Sequence, residues 1–334
     1  MLHENLIILV GAPRSGTTML QRVLGSHSQI FTHPEPHVLT PLAYLGFYDI
    51  VEKAPYDHIN AAEALRELVD ELPAKEDDYL EALRAYPSAL YAKLLATSGK
   101  SHFLDKTPAY ALVLPFITKL FPSAKYVVLT RHPMAVWHSQ AHSFFGGDYH
   151  AALEKNPLVQ PYVDAIGRFL LAKNVPYVHV RYDDLVTDPE AHTRRIFEHL
   201  GLPHEAHAVD YGEHQHITKS FGDPTAVEKH QKPVTDSLET WAQDMKTRPE
   251  VLELARSLER TLDPKHLEAW GYPSASFFGA VDKAQAQSTK KSSVQSYALK
   301  RRVLLGLREN MQKNATLRAS VRKIRYYCDV LLRT

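Results

Sequence analysis

The stretch of sequence that decides the fold runs from residue 11 to residue 20 and reads Gly11-Ala-Pro-Arg-Ser-Gly-Thr-Thr-Met-Leu20. An apolar run at residues 6–10 precedes it and is typical of a buried strand, while residues 21–24 indicate the start of a helix. A strand, a glycine-bounded loop and a helix N-terminus form an anion cradle, because free backbone N–H groups and the positive helix end point at the bound group. The sequence therefore predicts a phosphate-binding loop.

This loop differs from the phosphate-binding loop of nucleoside triphosphatases. Gly11 and Gly16 have the spacing of the pattern G-x-x-x-x-G-K-[ST], but Thr17 stands where that pattern has lysine. The missing lysine normally contacts the β- and γ-phosphates of the nucleoside triphosphate. The loop carries Arg14 instead. These two differences favour a phosphate-bearing ligand other than ATP or GTP.

A second basic residue follows a second apolar run. Arg131 comes directly after residues 125–130, and Ser139 lies eight residues later on the next predicted helix. An arginine at the carboxyl end of a strand with a serine on the adjoining helix suits a second phosphate, although a structural salt bridge of Arg131 is the alternative. A P-loop nucleoside triphosphatase usually ends such a strand with an aspartate that helps to hold Mg²⁺. We therefore expect two anionic groups bound without a metal ion.

The wider pattern predicts an α/β fold. Further short strands are expected at residues 101–105 and 177–181, with helical patterns between the strands. Strands that alternate with helices imply a P-loop-like parallel sheet flanked by helices, with ligands bound at the carboxyl ends of the strands.

Charge is distributed unevenly along the chain. Residues 282–334 hold 13 Lys and Arg against 3 Asp and Glu, so a basic tail follows an acidic body. The predicted organisation is a domain at residues 1–275, a polar linker at 276–292 and a basic helical tail at 293–334. The tail either packs on the acidic body of its own or a partner subunit, as in a homodimer, or lies on an anionic membrane surface. Its few aromatic residues and the lack of a recognised motif argue against nucleic acid.

The cysteine and histidine content indicates the cellular compartment and whether a metal site is expected. Cys328 is the single cysteine, which excludes an internal disulfide and fits a reducing compartment. The sequence lacks a signal-peptide pattern and an apolar segment of ~20 residues, so a cytoplasmic protein is expected, or one at the inner face of the membrane. His138 and His142 share a predicted helix face, but no carboxylate or cysteine accompanies them at ligand spacing. No metal site is expected.

Two segments together resemble the signature elements of the sulfotransferase family, which uses 3′-phosphoadenosine 5′-phosphosulfate (PAPS). They are Gly11-Ala-Pro-Arg-Ser-Gly-Thr-Thr18 and Val128-Leu-Thr-Arg131-His-Pro with Ser139, and the resemblance spans about residues 5–245. It implies sulfuryl transfer from PAPS to a hydroxyl on a lipid, a glycan or a small metabolite. The alternatives are a P-loop nucleotide or small-molecule kinase and a non-catalytic anion-binding protein.

The resemblance also implies how the nucleotide is held. In that family the loop holds the 5′-phosphosulfate, a role that falls here to Arg14, Ser15, Gly16, Thr17 and Thr18. An arginine and a serine hold the 3′-phosphate, which corresponds here to Arg131 and Ser139. Tyr182 resembles a tyrosine that contacts the nucleotide, and Lys232 resembles a late basic contact near the 3′-phosphate.

Catalytic roles follow from the same resemblance. Asp105-Lys106-Thr107-Pro108 resembles the segment that supplies a lysine near the bridging oxygen of the leaving phosphate. The cytosolic branch has a histidine base where this chain has Pro108, so the base has to come from elsewhere. Glu35, which lies 21 residues after Arg14, matches the proposed base of tyrosylprotein sulfotransferases. His37 is a rival or helper, because Pro-Glu-Pro-His resembles a segment of bacterial polyketide-pathway sulfotransferase domains. Arg14 itself matches the bacterial and tyrosylprotein branches.

Overall fold

The computed structural model describes residues 2–45, 58–213 and 230–284. Its strands are β1 (Leu6–Val10), β2 (Ile30–Pro34), β3 (His102–Lys106), β4 (Lys125–Thr130) and β5 (Tyr177–Arg181). Its α-helices are α1 (Thr17–Gly25), α2 (Leu39–Leu45), α3 (His58–Asp70), α4 (Glu76–Ser98), α5 (Leu114–Leu120), α6 (Pro133–Phe144), α7 (Tyr149–Lys155), α8 (Val159–Ala172), α9 (Tyr182–Thr187), α10 (Pro189–Leu200), α11 (Thr240–Thr247), α12 (Pro249–Glu259), α13 (Pro264–Trp270) and α14 (Gly279–Lys283). Short 3₁₀ helices span Leu2–Asn5, Pro108–Val113, Ala206–Val209, Tyr211–Glu213 and Ser274–Ser276.

The strands form a parallel five-stranded sheet in the order β2-β3-β1-β4-β5. The central strand β1 pairs with β3 on one side and β4 on the other, and Ile8 lies opposite both Asp105 and Tyr126. This arrangement confirms the predicted α/β fold. Sequence analysis missed β2, whose Thr32-His-Pro34 end lacks an apolar run. The strand tolerates Pro34 because it lies at the edge of the sheet.

The sheet is buried on both faces, as a parallel sheet with helices on both sides requires. Leu6, Ile8 and Val10 of β1 face a core shared with α5, α6, α8 and α13. Ile7 and Leu9 face the opposite core, which α1, α9 and α10 cover. The alternation follows from the two-residue period of a strand, and it explains why every residue of β1 is apolar.

The connection from β1 to α1 is a tight loop that depends on glycine. Gly16 caps α1 in the left-handed region with φ of 90°, and Arg14 also has a positive φ of 69°. A Cβ atom at Gly16 would lie 2.6 Å from Cδ2 of Tyr182, the first residue of α9. The loop therefore closes directly against the end of β5.

The packed domain extends beyond its predicted boundary. Phe277 and Val281 are each only 2% exposed and belong to the core, and α14 follows the predicted end at residue 275. The beginning of the predicted linker is therefore part of the fold, because its two apolar side chains are buried. The rest of that linker from residue 285 and the predicted basic tail lie outside the described residues. Among the described residues, no helix combines the length and the apolar character needed to cross a membrane.

Replacing Gly16 by alanine tests the loop geometry, with Gly99→Ala as a matched control. Both glycines have positive φ, but a Cβ at Gly99 would meet nothing within 4 Å. Gly99→Ala should therefore lower the free energy of unfolding by about 1–2 kcal/mol, the cost of the left-handed backbone alone. Gly16→Ala should cost about 1–3 kcal/mol more, because the methyl group overlaps the Tyr182 ring. Urea denaturation measures both; equal losses would contradict the close contact.

Candidate active site

The carboxyl ends of all five strands carry the predicted site residues. The anion-binding loop follows β1, Glu35 follows β2, Lys106 ends β3, Arg131 follows β4 and Tyr182 follows β5. Because the strands are parallel, these five points lie at one edge of the sheet. A cavity of about 560 Å³ opens at this edge.

Most of the predicted site residues line this cavity. They are Arg14, Gly16, Thr17, Thr18, Glu35, His37, Arg131, Ser139, Tyr182 and Lys232. Ser15 and Lys106 are fully buried beside residues that line it, since Ser15 lies between Arg14 and Gly16 in the chain and Lys106 contacts Glu35 and Thr18. The structure thus brings together residues that are more than 200 positions apart in the sequence, such as Arg14 and Lys232.

A buried ion pair joins the end of β3 to the residue after β2. The Lys106 ammonium donates a hydrogen bond to Oε1 of Glu35 at 2.7 Å and another to Oγ1 of Thr18 at 3.3 Å. Nε2 of His37 lies 3.8 Å from Oε2 of Glu35. The Lys106 side chain is fully buried, whereas that of Glu35 is 16% exposed and faces the cavity. A carboxylate and an ammonium therefore meet at the cavity wall.

The segment that holds Glu35 has a strained backbone. Glu35 and His37 have positive φ values of 29° and 53°, although neither is glycine. Such conformations persist only where the surrounding structure enforces them, and they cluster at functional sites. The sequence signal is the pair of prolines that flank Glu35, at positions 34 and 36.

The side chain of Arg14 crosses the cavity to α6. Its Nε donates to Oγ of Ser139 and its Nη2 donates to Oγ of Ser143, each at 3.2 Å. The guanidinium also lies 5.5 Å from the centre of the Phe144 ring. Sequence analysis missed Ser143, although its position one helical turn after Ser139 places it on the same face of α6.

Arg131 is held by the loop, by Tyr182 and by a residue that sequence analysis missed. Its Nη1 donates to the carbonyl oxygen of Arg14, and its Nη2 donates to both Oγ and the carbonyl oxygen of Ser237, all at 3.2 Å. Its guanidinium lies 4.4 Å from the centre of the Tyr182 ring, and burial lowers the pKa of Arg131. Ser237 also contacts Oη of Tyr182 at 3.2 Å. A lone serine 106 residues from Arg131 gives no sequence signal.

Two buried polar atoms support an anionic ligand in this site. Nε of Arg131 and Oγ of Ser15 have no hydrogen-bond partner within the part of the chain that the structure describes. Leaving a buried polar group unpaired costs about 1–3 kcal/mol. Both atoms belong to the segments that the sequence predicts to hold phosphates, and a ligand with oxygen acceptors would satisfy them.

A third polar cluster lies in the wall near α6. His138, His142 and Asp244 place their ligand-type atoms within 4.8 Å of one another, so the structure supplies a carboxylate that the local sequence lacks. Oδ2 of Asp244 accepts a hydrogen bond from Tyr149 at 2.6 Å and lies 3.7 Å from Nη1 of Arg248. Burial lowers the pKa of His138 to about 3. Burial alone would raise the pKa of Asp244, but hydrogen bonds from His142 and Tyr149 bring it to about 2. Arg248 thus balances the carboxylate charge.

Comparison with known proteins identifies the family. A profile of the sulfotransferase family matches residues 6–206, which is more than half of the chain. The chain therefore belongs to the sulfotransferase family. The family resemblance predicted from the loop and from the segment around Arg131 is confirmed, and the kinase alternative is not favoured.

The relatives include bacterial and animal sulfotransferases. The chain is 34% identical to nodulation protein NoeE of Sinorhizobium fredii over 38% of this chain and 29% of NoeE. It is 28% identical to the omega-hydroxy-beta-dihydromenaquinone-9 sulfotransferase Stf3 of Mycobacterium bovis over 39% of each chain. The match thus spans about a third of the length of these two relatives. The sulfotransferase domain of the Synechococcus PCC 7002 olefin synthase is 25% identical over 71% of this chain and 86% of that domain, with a TM-score of 0.49.

Proposed function

We propose that this protein transfers a sulfuryl group from PAPS to an acceptor hydroxyl. The observation that carries the proposal is the pair of Glu35 and Lys106 at the wall of a cavity that also contains Arg14 and Arg131. Two arginines at separate points suit the two phosphate positions of the nucleotide, and the Lys–Glu pair lies beside the loop through Thr18. Membership of the sulfotransferase family supports this interpretation.

The proposed nucleotide site uses both arginines. The loop from Arg14 to Thr18 holds the 5′-phosphosulfate, because its backbone N–H groups and the N-terminus of α1 favour an anion. Arg131 and Ser139 hold the 3′-phosphate, and Lys232 adds positive charge from the same cavity. Tyr182 contacts the nucleotide beside the Arg131 guanidinium. In this proposal side chains supply the positive charge, and no metal ion is required.

The proposed chemistry is an in-line displacement at sulfur. The acceptor oxygen forms a bond to sulfur as the bond from sulfur to the bridging oxygen of the 5′-phosphate breaks. Glu35 accepts the proton of the acceptor hydroxyl, as a general base must lie within hydrogen-bond reach of that proton. Lys106 and Arg14 stabilise the charge that develops on the departing phosphate. His37 is the rival base or a helper, since its Nε2 lies 3.8 Å from the Glu35 carboxylate.

The acceptor is proposed to be a hydroxyl of a lipid, a glycan or a small metabolite. The names of the relatives refer to different acceptors, a hydroxylated menaquinone for Stf3 and a protein tyrosine for a Caenorhabditis briggsae relative that is 25% identical.

Two proposals stand for the basic tail at residues 293–334. It packs on the acidic body of its own or a partner subunit, as in a homodimer, or it brings a cytoplasmic enzyme to the inner face of the membrane. The 13 basic residues at positions 282–334 support attraction to anionic lipids. The full chain should sediment with phosphatidylserine vesicles at low salt, and a chain ending at residue 284 should not. Equal sedimentation of the two forms would remove the membrane proposal.

Removal of either partner of the ion pair should abolish turnover while nucleotide binding persists. Glu35→Gln should lower the rate about 10²–10⁴-fold, the usual contribution of a general base. Lys106→Ala should lower it about 10²–10³-fold, as loss of a charge-stabilising group does. The rate is measured as transfer of radioactive sulfur from PAPS to a panel of hydroxyl acceptors. The baseline is the release of the product nucleotide, 3′,5′-adenosine bisphosphate (PAP), in the absence of an acceptor.

Two further variants serve as controls for that experiment. Lys100→Ala removes another part-buried lysine, which donates to three backbone carbonyl groups away from the cavity, and should leave turnover close to that of the parent. His37→Gln separates the two candidate bases, because a loss as large as that of Glu35→Gln would assign the proton to the histidine. Near-normal turnover of Lys106→Ala would contradict the proposed role of the lysine.

A further inference from the structure

A buried carboxylate lies next to Lys106 in β3 and has no role in the chemistry described above. Asp105 is fully buried and accepts hydrogen bonds from the hydroxyl groups of Tyr91, Tyr110 and Thr107. The Tyr110 hydroxyl lies 3.0 Å from Oδ2 and the Thr107 hydroxyl lies 3.3 Å from Oδ1. Burial raises the pKa of Asp105 to about 6, and the three hydroxyl groups act against this rise. Burial of a carboxylate is costly unless hydrogen bonds replace those it made with water.

Two of the three hydroxyl groups also hold the segment after β2. The backbone N–H of Leu39 donates to Oη of Tyr110 at 3.1 Å. The backbone N–H of His37 donates to Oγ1 of Thr107 at 3.4 Å. Each hydroxyl has one hydrogen, so donation of that hydrogen to Asp105 leaves its lone pairs for the N–H groups. Asp105 therefore holds the hydrogen of each hydroxyl group and leaves the oxygen lone pairs facing the segment 35–39.

This segment needs such support because its backbone is strained. Glu35 and His37 have positive φ, and residues 35–38 belong to no helix or strand. Conformations of this kind are energetically costly and persist only when surrounding contacts impose them. One of the two bonds reported above is made by the strained residue His37 itself, and the other is made by Leu39, two positions further on.

We propose that Asp105 is a positioning residue that sets the Glu35 carboxylate against Lys106. β3 then fixes both partners of the ion pair, since it carries Lys106 directly and holds the Glu35 segment through Asp105, Tyr110 and Thr107. The inference rests on the proposed function, because it assigns importance to the position of Glu35. It concerns a network of residues that lie behind the cavity wall.

Tyr110→Phe and Tyr91→Phe form a matched pair for testing this inference. Both residues are almost fully buried, and both variants remove one hydroxyl bonded to Oδ2 of Asp105. Only the Tyr110 hydroxyl also accepts from Leu39. Amide hydrogen exchange of the peptide containing residues 35–39 should therefore rise in Tyr110→Phe and stay near that of the parent in Tyr91→Phe. Equal exchange in the two variants would overturn the inference.

Turnover gives the functional side of the same test. Sulfuryl transfer from PAPS to an acceptor hydroxyl should fall at least about tenfold in Tyr110→Phe, because small misplacements of a catalytic group are costly, and much less in Tyr91→Phe. The dissociation constant for PAP should stay within about twofold of the parent in both, since neither tyrosine belongs to the nucleotide site. Thr107→Val should behave like Tyr110→Phe, and Thr107→Ser, which keeps the hydroxyl, should restore activity. The two variants at Thr107 therefore still test the inference if a tyrosine variant does not fold.

The outcomes separate this inference from the proposed function. If the parent protein neither binds PAP nor consumes PAPS, the proposed function fails, and hydrogen exchange alone decides whether Asp105 holds the segment. If the parent consumes PAPS but Tyr110→Phe and Tyr91→Phe lose activity equally, only the positioning role fails. A uniform loss of PAP affinity in all variants would indicate general damage to the fold and would also overturn the inference.

Discussion

The parallel pairing of β1 with β3 on one side and β4 on the other is the constraint on which the site depends. It places the anion-binding loop between Lys106 and Arg131, because the carboxyl ends of neighbouring parallel strands meet at one edge of the sheet. The outer strands β2 and β5 add Glu35 and Tyr182 at the same edge. Residues that are scattered over more than half of the chain thereby surround a single cavity.

The electrostatics of the site follow from this placement. Lys106 is fully buried, and a buried ammonium is stable only with polar partners, which Glu35 and Thr18 provide. Arg14 donates to a serine hydroxyl, and Arg131 donates to a serine hydroxyl and to a backbone carbonyl group, all of which are neutral oxygens. This distribution of charge suits an anionic ligand with two separated phosphate positions.

Sequence patterns predicted the features of the fold that depend on neighbouring residues in the chain. Glycine spacing located the loop, and apolar runs located four of the five strands and pointed to Arg131 at the end of one of them. Glu35, Lys106 and Tyr182 followed from the family resemblance. β2 escaped detection because its sequence, Ile30-Phe-Thr-His-Pro34, has no clear apolar alternation and is held by pairing with β3. Ser143, Ser237 and the hydroxyl groups around Asp105 were not predicted either. The two serines act through contacts across 55 to 129 positions of the sequence, and Tyr91 contacts Asp105 across 14 positions. No pattern in a single sequence reports such contacts.

Calorimetric titration with PAP, and separately with ATP plus Mg²⁺, tests the central claim most directly. We expect PAP to bind without a metal ion and in preference to ATP–Mg²⁺. Arg131→Ala should weaken PAP binding about tenfold to a hundredfold, since a charged hydrogen bond to phosphate is lost. Arg181→Ala, at the end of the neighbouring strand and paired with Asp184, should leave the PAP affinity near that of the parent. A preference for ATP–Mg²⁺, or unchanged PAP binding in Arg131→Ala, would contradict the account.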